Sequence, residues 1–156
     1  MYTIKSVKAK EKFILSVIFI NGIIKEYDIK PLFDIFPQFK DFETDPELFY
    51  QVKVDSGGYG IYWNDNLDLD ANDIWEDGIE VGKEEINIMD MVASEIIKAR
   101  ELIGMTQKQL SEVTGIYQTD ISKIERGKAN PSLTTLNRLA NGLGVELNIK
   151  FEASGK

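Results

Sequence analysis

Residues 105–127, MTQKQLSEVTGIYQTDISKIERG, contain the local features of two short helices joined by a tight turn. Thr106 and Gln109 have the spacing of a capping box, in which each side chain bonds to the other residue's backbone N–H at a helix start. Gly115 can adopt the left-handed conformation that a tight turn requires. A second helix is predicted over residues 118–126. The pattern predicts a helix-turn-helix, whose second helix can enter the major groove of DNA.

The flanking sequence predicts a small helical bundle around these two helices. Gly127 is expected to end the second helix, and another helix is expected to begin at Pro131-Ser132 and to end at residues 142–144. Apolar residues recur at helical spacing throughout this half of the chain. The predicted apolar stripes contain Met91, Ile96, Ala99, Leu102, Leu110, Val113, Ile121, Ile124, Leu133, Leu136 and Leu139.

The last segment, residues 145–152, changes to the alternating pattern of a strand with one apolar face. A lone strand after a bundle leaves N–H and C=O groups unpaired and therefore needs a partner. Pairing with the same strand of a second protomer would give a two-fold dimer suited to a palindromic operator. Pairing with an N-terminal sheet is the alternative. The predicted dimerisation residues are Val145, Leu147, Ile149 and Phe151.

The N-terminal half is rich in strand-forming residues. Residues 2–7, 12–21 and 23–29 predict a three-stranded meander, and Asn21-Gly22 predicts a two-residue hairpin turn between its last two strands. We expect an overall α+β fold, with a small α+β meander domain followed by an all-α helix-turn-helix bundle and a terminal β-strand.

Further along this half, capping residues predict short helices and a second hairpin. Asp45 precedes Pro46 as an N-cap precedes the first helical position, and Asp70 can cap a helix over residues 71–76 that Gly78 ends. The second hairpin is expected from residues 51–54 and 60–63. The predicted boundaries are a domain at 1–80, a linker at 81–89, a helix-turn-helix domain at 90–144 and the strand at 145–152.

Composition excludes several classes of enzyme. The 156 residues include no Cys and no His, which excludes disulfides, Cys/His zinc sites, thiol nucleophiles and histidine bases. Metal sites made only of carboxylates stay possible on composition alone. Neither a nucleophile–base pair nor a phosphate-binding loop is recognisable, so we expect no catalytic residue, no enzymatic activity, no cofactor and no metal.

Charge is divided unequally between the two halves. The net charge of −8 would disfavour a nucleic-acid partner if it were spread evenly. Residues 1–87 contain nine Lys and 18 acidic residues, whereas residues 88–156 contain nine Lys plus Arg and eight acidic residues. The excess negative charge therefore belongs to the N-terminal half, and the helical half has a net charge of +1.

No segment has the length or composition of a membrane anchor. The longest apolar stretch, residues 13–20, is interrupted by Ser16 and is far shorter than the roughly 20 residues of a membrane span. The first 13 residues lack the features of a signal peptide. We therefore expect a cytoplasmic protein with no membrane partner.

Residues 96–145 resemble the lambda-repressor-like helix-turn-helix family, also called the Cro/cI or XRE family. The family's residues recur here at their usual spacing, and many fixed positions make the resemblance specific. The matching residues are Arg100, Gly104, Thr106, Gln107, Leu110, Gly115, Gln118, Ile121, Ser122, Glu125, Gly127, Pro131, Ser132, Leu139, Leu143 and Gly144.

The resemblance implies a structural ion pair and a set of contacts to the DNA backbone. It implies that Arg100 and Glu125 pair to hold the first helix to the third. Thr106 and Gln107 begin a helix, where a phosphate oxygen could accept from the Gln amide and from the helix N-terminus; simple solvation is the alternative. Backbone contacts or solvated side chains are expected for the residues after the recognition helix, namely Arg126, Lys128 and Asn130.

Base contacts are expected from the first two turns of the second helix. Gln can pair with adenine through its amide, and Lys can donate to guanine. Asp120 could accept from cytosine or only favour the helix N-terminus. Tyr117 departs from the family, which usually has Ser or Thr at this cap, and its hydroxyl could instead contact a phosphate. The expected base-contacting residues are Gln118, Thr119, Asp120, Ser122 and Lys123.

The N-terminal half resembles an uncharacterised bacterial α+β domain through residues 59–63, 67–70, 74–75 and 78. Members of that family look like neighbours of small toxins, which implies a protein partner. The acidic residues Asp65, Asp68, Asp70, Asp73, Glu76 and Asp77 lack EF-hand spacing and are expected to cap helices or to form an acidic binding surface.

The sequence thus predicts a homodimeric transcriptional regulator that binds a double-stranded DNA operator. More specifically, it predicts an autoregulating antitoxin-type repressor, with a toxin as its possible protein partner. The alternative is a toxin-neutralising interaction module with weak DNA binding.

Overall fold

The structure is a computed structural model that describes residues 1–151 and residue 153. The chain divides into two compact units, Met1–Met91 and Val92–Lys156. The first unit contains two antiparallel sheets and several short helices. Its elements are β1 (Ile4–Lys10), β2 (Ile14–Phe19), β3 (Ile23–Asp28), α1 (Leu32–Ile35), α2 (Asp41–Thr44), α3 (Pro46–Phe49), β4 (Lys53–Val54), β5 (Gly60–Asn64), β6 (Leu67–Asp70), α4 (Ala71–Asp77) and β7 (Ile79–Lys83).

The predicted meander is present as β1, β2 and β3, but the turn at Asn21-Gly22 differs from the prediction. The Gly22 N–H donates to Phe19 O at 2.9 Å, and Gly22 alone in this turn has a positive φ, of 85°. The Asn21 side chain accepts from the Ile23 N–H at 3.1 Å. The two-residue turn was therefore wrong: the hairpin closes through a longer loop whose left-handed position is taken by glycine.

The predicted linker at 81–89 was also wrong at its start, because β7 belongs to the first sheet. The strand order is β1-β2-β3-β7, and Lys25 of β3 stands opposite Glu80 of β7. One extra β7 residue forms an irregularity between Ile24 and Lys25 of β3. Residues 81–83 of β7 fall within the predicted linker, and Gly82 among them is a residue typical of loops. Its strand hydrogen bonds depend on β3, more than 50 residues earlier in the chain.

The helix caps predicted in this unit are present. The Asp45 side chain accepts from the Leu48 N–H at the start of α3, and Asp70 accepts from the Asn72 N–H at the start of α4, which ends at Gly78. The predicted second hairpin is β4 with β5, and β6 extends it to three strands. Aromatic residues fill the core beside these elements, where Trp63 Nε1 donates to Phe49 O at 2.9 Å.

The second unit is a helical bundle, which together with the sheets confirms the predicted α+β fold. Its helices are α5 (Ile88–Leu102), whose first turn lies in the first unit, α6 (Gln107–Thr114), α7 (Gln118–Glu125) and α8 (Leu133–Leu143). The buried cluster contains Leu110, Ile121 and Leu139, each at most 1% exposed. None of the described helices is both long enough and apolar enough to cross a membrane.

Three of the predicted apolar positions are exposed instead. Leu102 and Leu133 lie at helix ends, where few residues surround them, and are 86% and 63% exposed. Val113 is 60% exposed on the flank of α6. Its neighbour on α8 is Gly142, which has no side chain to cover it. Helical spacing alone does not show which apolar residues a neighbouring helix covers.

The predicted terminal strand is absent from the described residues 145–151 of the single chain. The Val145 N–H donates to Ala140 O at 3.0 Å, so this residue completes the C-terminal cap of α8. Neither sheet includes a strand from this segment, and Glu152 lies outside the described residues. Strand hydrogen bonds need a second strand, so dimerisation through Leu147, Ile149 and Phe151 stays a prediction.

Candidate nucleic-acid interface

Local hydrogen bonds fix the first helix of the motif and its turn. Thr106 Oγ1 accepts from the Gln109 N–H at 3.1 Å, and Gln109 Oε1 accepts from the Thr106 N–H at 2.8 Å, which confirms the capping box. Gly115 follows α6 with a φ of 72°, the predicted left-handed conformation. Ser111 Oγ then donates to Ile116 O at 2.6 Å across the turn. These bonds fix the direction in which α7 leaves the turn.

The start of α7 lacks a side-chain cap, as the tyrosine predicts. Tyr117 occupies the N-cap position with no hydrogen bond from its side chain to the helix, and its ring is 77% exposed. Its carbonyl oxygen accepts from the Asp120 N–H at 2.9 Å and from the Ile121 N–H at 3.1 Å. The N–H groups of Gln118 and Thr119 have no acceptor among the described residues, so these two remain available to an anion.

A buried carboxylate connects α5, α6 and α7. Arg100 Nε donates to Glu125 Oε1 at 2.7 Å, and Arg100 Nη2 donates to Glu125 Oε2 at 3.0 Å. The Glu125 side chain is only 5% exposed, and its hydrogen bond raises the pKa of the Arg100 guanidinium above the usual value. Arg100 Nη1 also donates to Met105 O at 2.8 Å, next to the start of α6. The ion pair implied by the family resemblance is thus present as a two-bond pair.

Gln107 joins this group, and its observed partner differs from the one expected. Its Nε2 donates to Glu125 Oε2 at 2.8 Å, so the side-chain amide is already bonded within the protein. This bond uses one of the two N–H donors of Nε2, so a phosphate contact through this amide would have to come from the second. The backbone N–H of Gln107, at the first position of α6, has no acceptor among the described residues.

The exposed face of α7 contains the expected base-contacting residues. Gln118 and Ser122 are four residues apart, as are Thr119 and Lys123, so each pair is adjacent on the helix surface. Gln118, Thr119 and Lys123 are exposed, Ser122 is half-buried, and the side chains of the first three have no hydrogen-bond partner among the described residues. The opposite face is buried through Ile121 and Ile124. The helix therefore presents its polar face to solvent on a fixed support.

Cationic side chains lie on either side of this helix. Arg126 Nε donates to Ser122 O at 3.1 Å, and Lys128 and Asn130 are exposed in the segment after α7. Arg138, which the sequence reasoning missed, is exposed and donates to Thr114 O at 2.9 Å. Its position on α8 gave no sequence indication, because its proximity to α7 depends on how the helices pack. A groove of about 440 Å³ is lined by Tyr117, Asp120, Lys123, Asn130, Ser132 and Arg138 among others.

Two family models match the chain. Residues 96–149 match a model described as Helix-turn-helix, and residues 4–80 match a model described as Protein of unknown function (DUF2442). These two ranges agree with the two resemblances drawn from the sequence. Each model covers one part of the chain.

Curated proteins similar to this chain include transcriptional regulators. An uncharacterized HTH-type transcriptional regulator of Haemophilus influenzae is 40% identical over 65 residues, which cover 42% of this chain and 66% of that protein. The regulator y4dJ of Sinorhizobium fredii is 38% identical over 35% of this chain and 71% of its own length. Control protein C.SmaI of Serratia marcescens is 31% identical over 40% of this chain and 74% of its own length. The chain spans about two thirds of the length of the first of these relatives.

Solved structures similar to this chain include a controller protein and a protein of Nitrosomonas europaea. The restriction-modification controller protein C.Esp1396I, a tetramer in complex with its natural 35 base-pair operator, is 33% identical with a TM-score of 0.38; the match covers 40% of this chain and 82% of that one. A putative DNA binding protein of Nitrosomonas europaea, NE0471, is 15% identical with a TM-score of 0.43, over 89% of this chain and 84% of that one.

Proposed function

The chain belongs to the helix-turn-helix family of its curated relatives, and we propose that it is a sequence-specific DNA-binding transcriptional regulator. The observation that carries this proposal is the exposed polar face of α7, where Gln118, Thr119 and Lys123 have no described hydrogen-bond partner. Unpaired polar side chains on a rigidly supported helix are available to base edges in a major groove.

The support of this helix favours direct base recognition. Arg100 and Gln107 both bond to Glu125, the last residue of α7, so the helix is held to α5 and α6 at that end. A rigid helix loses little conformational entropy when it enters the groove. Gln118 is suited to adenine and Lys123 to guanine, and Asp120 and Ser122 lie beside them on the same two turns.

Phosphate contacts are proposed for the groups that flank α7. The backbone N–H at Gln107 lies at the start of α6, with Thr106 beside it, which suits a phosphate oxygen. Arg126, Lys128 and Asn130 follow α7, and the exposed Tyr117 precedes it. We add Arg138 because it lines the same groove as Tyr117 and Asn130. The Gln107 amide is assigned instead to holding Glu125, and through it the helix.

A two-fold dimer is proposed through the C-terminal segment. Val145, Leu147, Ile149 and Phe151 are all exposed, and Phe151 is fully exposed in the single chain. Apolar residues at alternate positions with no covering surface favour pairing with an identical strand. The resulting symmetry would place two copies of α7 on the two half-sites of a palindromic operator.

For the first unit we propose a protein-binding role within an autoregulating, antitoxin-type repressor. Residues 1–87, with 18 acidic residues and nine Lys, have a net charge of −9. Such a surface repels DNA and attracts a basic protein, so the two halves suit two different partners. The proposed division is residues 1–83 for the protein partner, 90–144 for DNA and 145–152 for dimerisation.

A gel-shift titration with DNA from upstream of the protein's own gene tests the DNA-binding proposal. Gln118→Ala combined with Lys123→Ala removes two proposed base contacts from the exposed surface, so folding should be unaffected. We expect specific affinity to fall by at least about tenfold, since each base contact contributes about 1–3 kcal/mol of discrimination.

The matched control combines Asn141→Ala with Lys98→Ala, which removes one amide and one ammonium away from α7. This control should bind the operator as the unmodified protein does. Unchanged specific binding and an unchanged salt dependence in the Gln118/Lys123 variant would refute the proposal.

A further inference from the structure

The outer edge of β7 differs from the other sheet edges in the first unit. The two sheets end in β1, β7, β4 and β6. Among these four strands, only β7 exposes large apolar side chains: Ile79 is 71% exposed and Val81 is 52% exposed. The edge of β1 is partly covered, because the Ile4 N–H donates to Gly58 O at 2.8 Å. An edge strand with exposed apolar side chains is a template for another strand.

The charge around β7 selects the kind of strand that can pair with it. Residues 76–85 contain the acidic residues Glu76, Asp77, Glu80, Glu84 and Glu85 and the single cation Lys83, a net charge of −4. Glu84 is paired with Lys5 at 2.5 Å, but Glu76, Asp77, Glu80 and Glu85 are exposed and unpaired within the described residues. A basic strand would gain opposite-charge contacts along this edge.

A second copy of the chain is a poor occupant for the same reason. Pairing two β7 strands would bring two segments of charge −4 together, and like charges across a strand pair are destabilising. The edge is therefore suited to a heterologous partner. Nucleic acid is excluded by the same negative charge.

We propose that β7 is a docking strand, which binds an extended segment of a basic partner protein by adding it to the sheet as a further strand. Main-chain hydrogen bonds supply the pairing, Ile79 and Val81 contact alternate apolar residues of the segment, and the acidic residues select its charge. This inference rests on the proposed protein-binding role of the first unit and specifies the surface and chemistry of that role.

A synthetic peptide that alternates Arg with Val is the probe, titrated into the full-length protein at low and moderate salt. The unmodified protein should bind it, and binding should weaken as salt rises. Ile79→Lys combined with Val81→Lys should weaken binding by about tenfold or more, because charged residues protect sheet edges from pairing. The matched control, Ile35→Lys with Tyr50→Lys, adds the same charge at two other exposed apolar positions and should bind normally.

Two further probes separate strand addition from simple charge attraction. The same peptide with an N-methyl group at every residue cannot donate backbone hydrogen bonds from either edge and should not bind. Hydrogen exchange should show new protection at residues 79–83 when the unmodified peptide is present. Equal binding of the N-methylated peptide, or equal loss in the control variant, would overturn the proposal.

Sedimentation and the gel shift make the remaining outcomes distinct. If sedimentation shows that Ile79→Lys combined with Val81→Lys dissociates a dimer, then a second copy of the chain pairs with β7 and the proposal is wrong. The same variant should keep operator binding, since β7 contributes no residue to the proposed DNA interface. A variant that loses peptide binding but keeps operator binding thus tests the docking proposal independently of the DNA-binding proposal.

Discussion

Gln107 Nε2 donates a hydrogen bond to Glu125 Oε2 at 2.8 Å, on the same carboxylate that accepts two bonds from Arg100. A residue expected to contact phosphate is thus part of the buried group that holds α7 in place. Because Glu125 is 8% exposed as a whole residue, its charge depends on these donors for solvation.

Replacing Glu125 with Ala should destabilise the second unit strongly. The Arg100 side chain is only 16% exposed, and it would lose its counter-charge within the bundle. We expect a loss of about 3 kcal/mol in the free energy of unfolding, measured by urea titration of the helical circular dichroism. Glu95→Ala, which breaks an exposed pair with Lys98, should cost less than about 1 kcal/mol. A similar small cost for both variants would contradict the role given to Glu125.

Adding one methyl group at Gly142 should separate α6 from α8. A Cβ there would lie 2.4 Å from Thr114 Cγ2, far closer than real contacts allow. We expect Gly142→Ala to lower the stability of the second unit by about 1–3 kcal/mol, although alanine has the higher helix propensity. Thr114→Ser removes that methyl and keeps the hydroxyl that donates to Leu110 O, so the double variant should recover at least half of the loss. No recovery would show that the contact is not the cause.

The turn between β1 and β2 should become more stable when Lys12 is replaced with Gly. Lys12 and Phe13 both have a φ of 62°, which costs a residue with a side chain about 1 kcal/mol. Phe13 packs against Phe33 and Phe49, at ring distances of 5.3 and 5.4 Å, so this packing offsets its own strain. Both tryptophans, Trp63 and Trp75, lie in the first unit, and their fluorescence reports its unfolding.

We expect Lys12→Gly to stabilise this unit by about 0.5–1 kcal/mol. Lys10→Gly, at an extended position of β1, should instead destabilise it. A loss of stability in Lys12→Gly would contradict the assignment of strain to this position.

Alkaline pH should destabilise the first unit through Tyr27. Burial raises the pKa of the Tyr27 phenol, and the negative charges of Asp77 and Asp73 raise it further. The folded state therefore holds this proton more tightly than the unfolded chain. Its stabilising effect is complete below the ordinary pKa of about 10 and is lost as the pH rises through the raised value.

Tyr27→Phe removes this effect, so its free energy of unfolding should fall less steeply above about pH 10 than that of the unmodified protein. Urea titrations followed by tryptophan fluorescence on both sides of that pH measure the difference. Tyr62→Phe, at an exposed position, is the matched control for the loss of a phenol hydroxyl.

Truncation after Gly144 should convert the proposed dimer to a monomer. It removes the four exposed apolar residues of the C-terminal segment and with them the Val145 N–H bond to Ala140 O, but it keeps the left-handed cap residue Gly144 and its own N–H bond. Analytical ultracentrifugation of the full chain and the truncated chain measures the change. Replacing Leu147 and Ile149 with Lys in the full chain should have the same effect. A dimer that persists in both variants would refute dimerisation through this segment.

Local features of the motif were predictable because their atoms lie close together in the sequence. The capping box joins Thr106 to Gln109, three residues away, and Gly115 was expected in the left-handed turn where its φ is 72°. Asp45 and Asp70 cap helices through bonds to residues two or three positions later. Such bonds form within one turn of chain, so residue type and spacing are sufficient to predict them.

Contacts between distant segments were not predictable from the same sequence. Whether residues 79–83 form a strand depends on the edge that β3 offers, and the exposure of Val113 depends on Gly142 of α8. The partner of the Gln107 amide likewise depends on where α7 brings Glu125.

The sequence by itself determined the helix-turn-helix, its caps and the separation of negative charge into the first half, because spacing and composition are sufficient for each. Only the tertiary structure decided that β7 is an open sheet edge and that Gln107 bonds to Glu125. The physical reason is that strand pairing and burial depend on contacts between segments far apart in the sequence, and local sequence patterns do not show which segments come into contact.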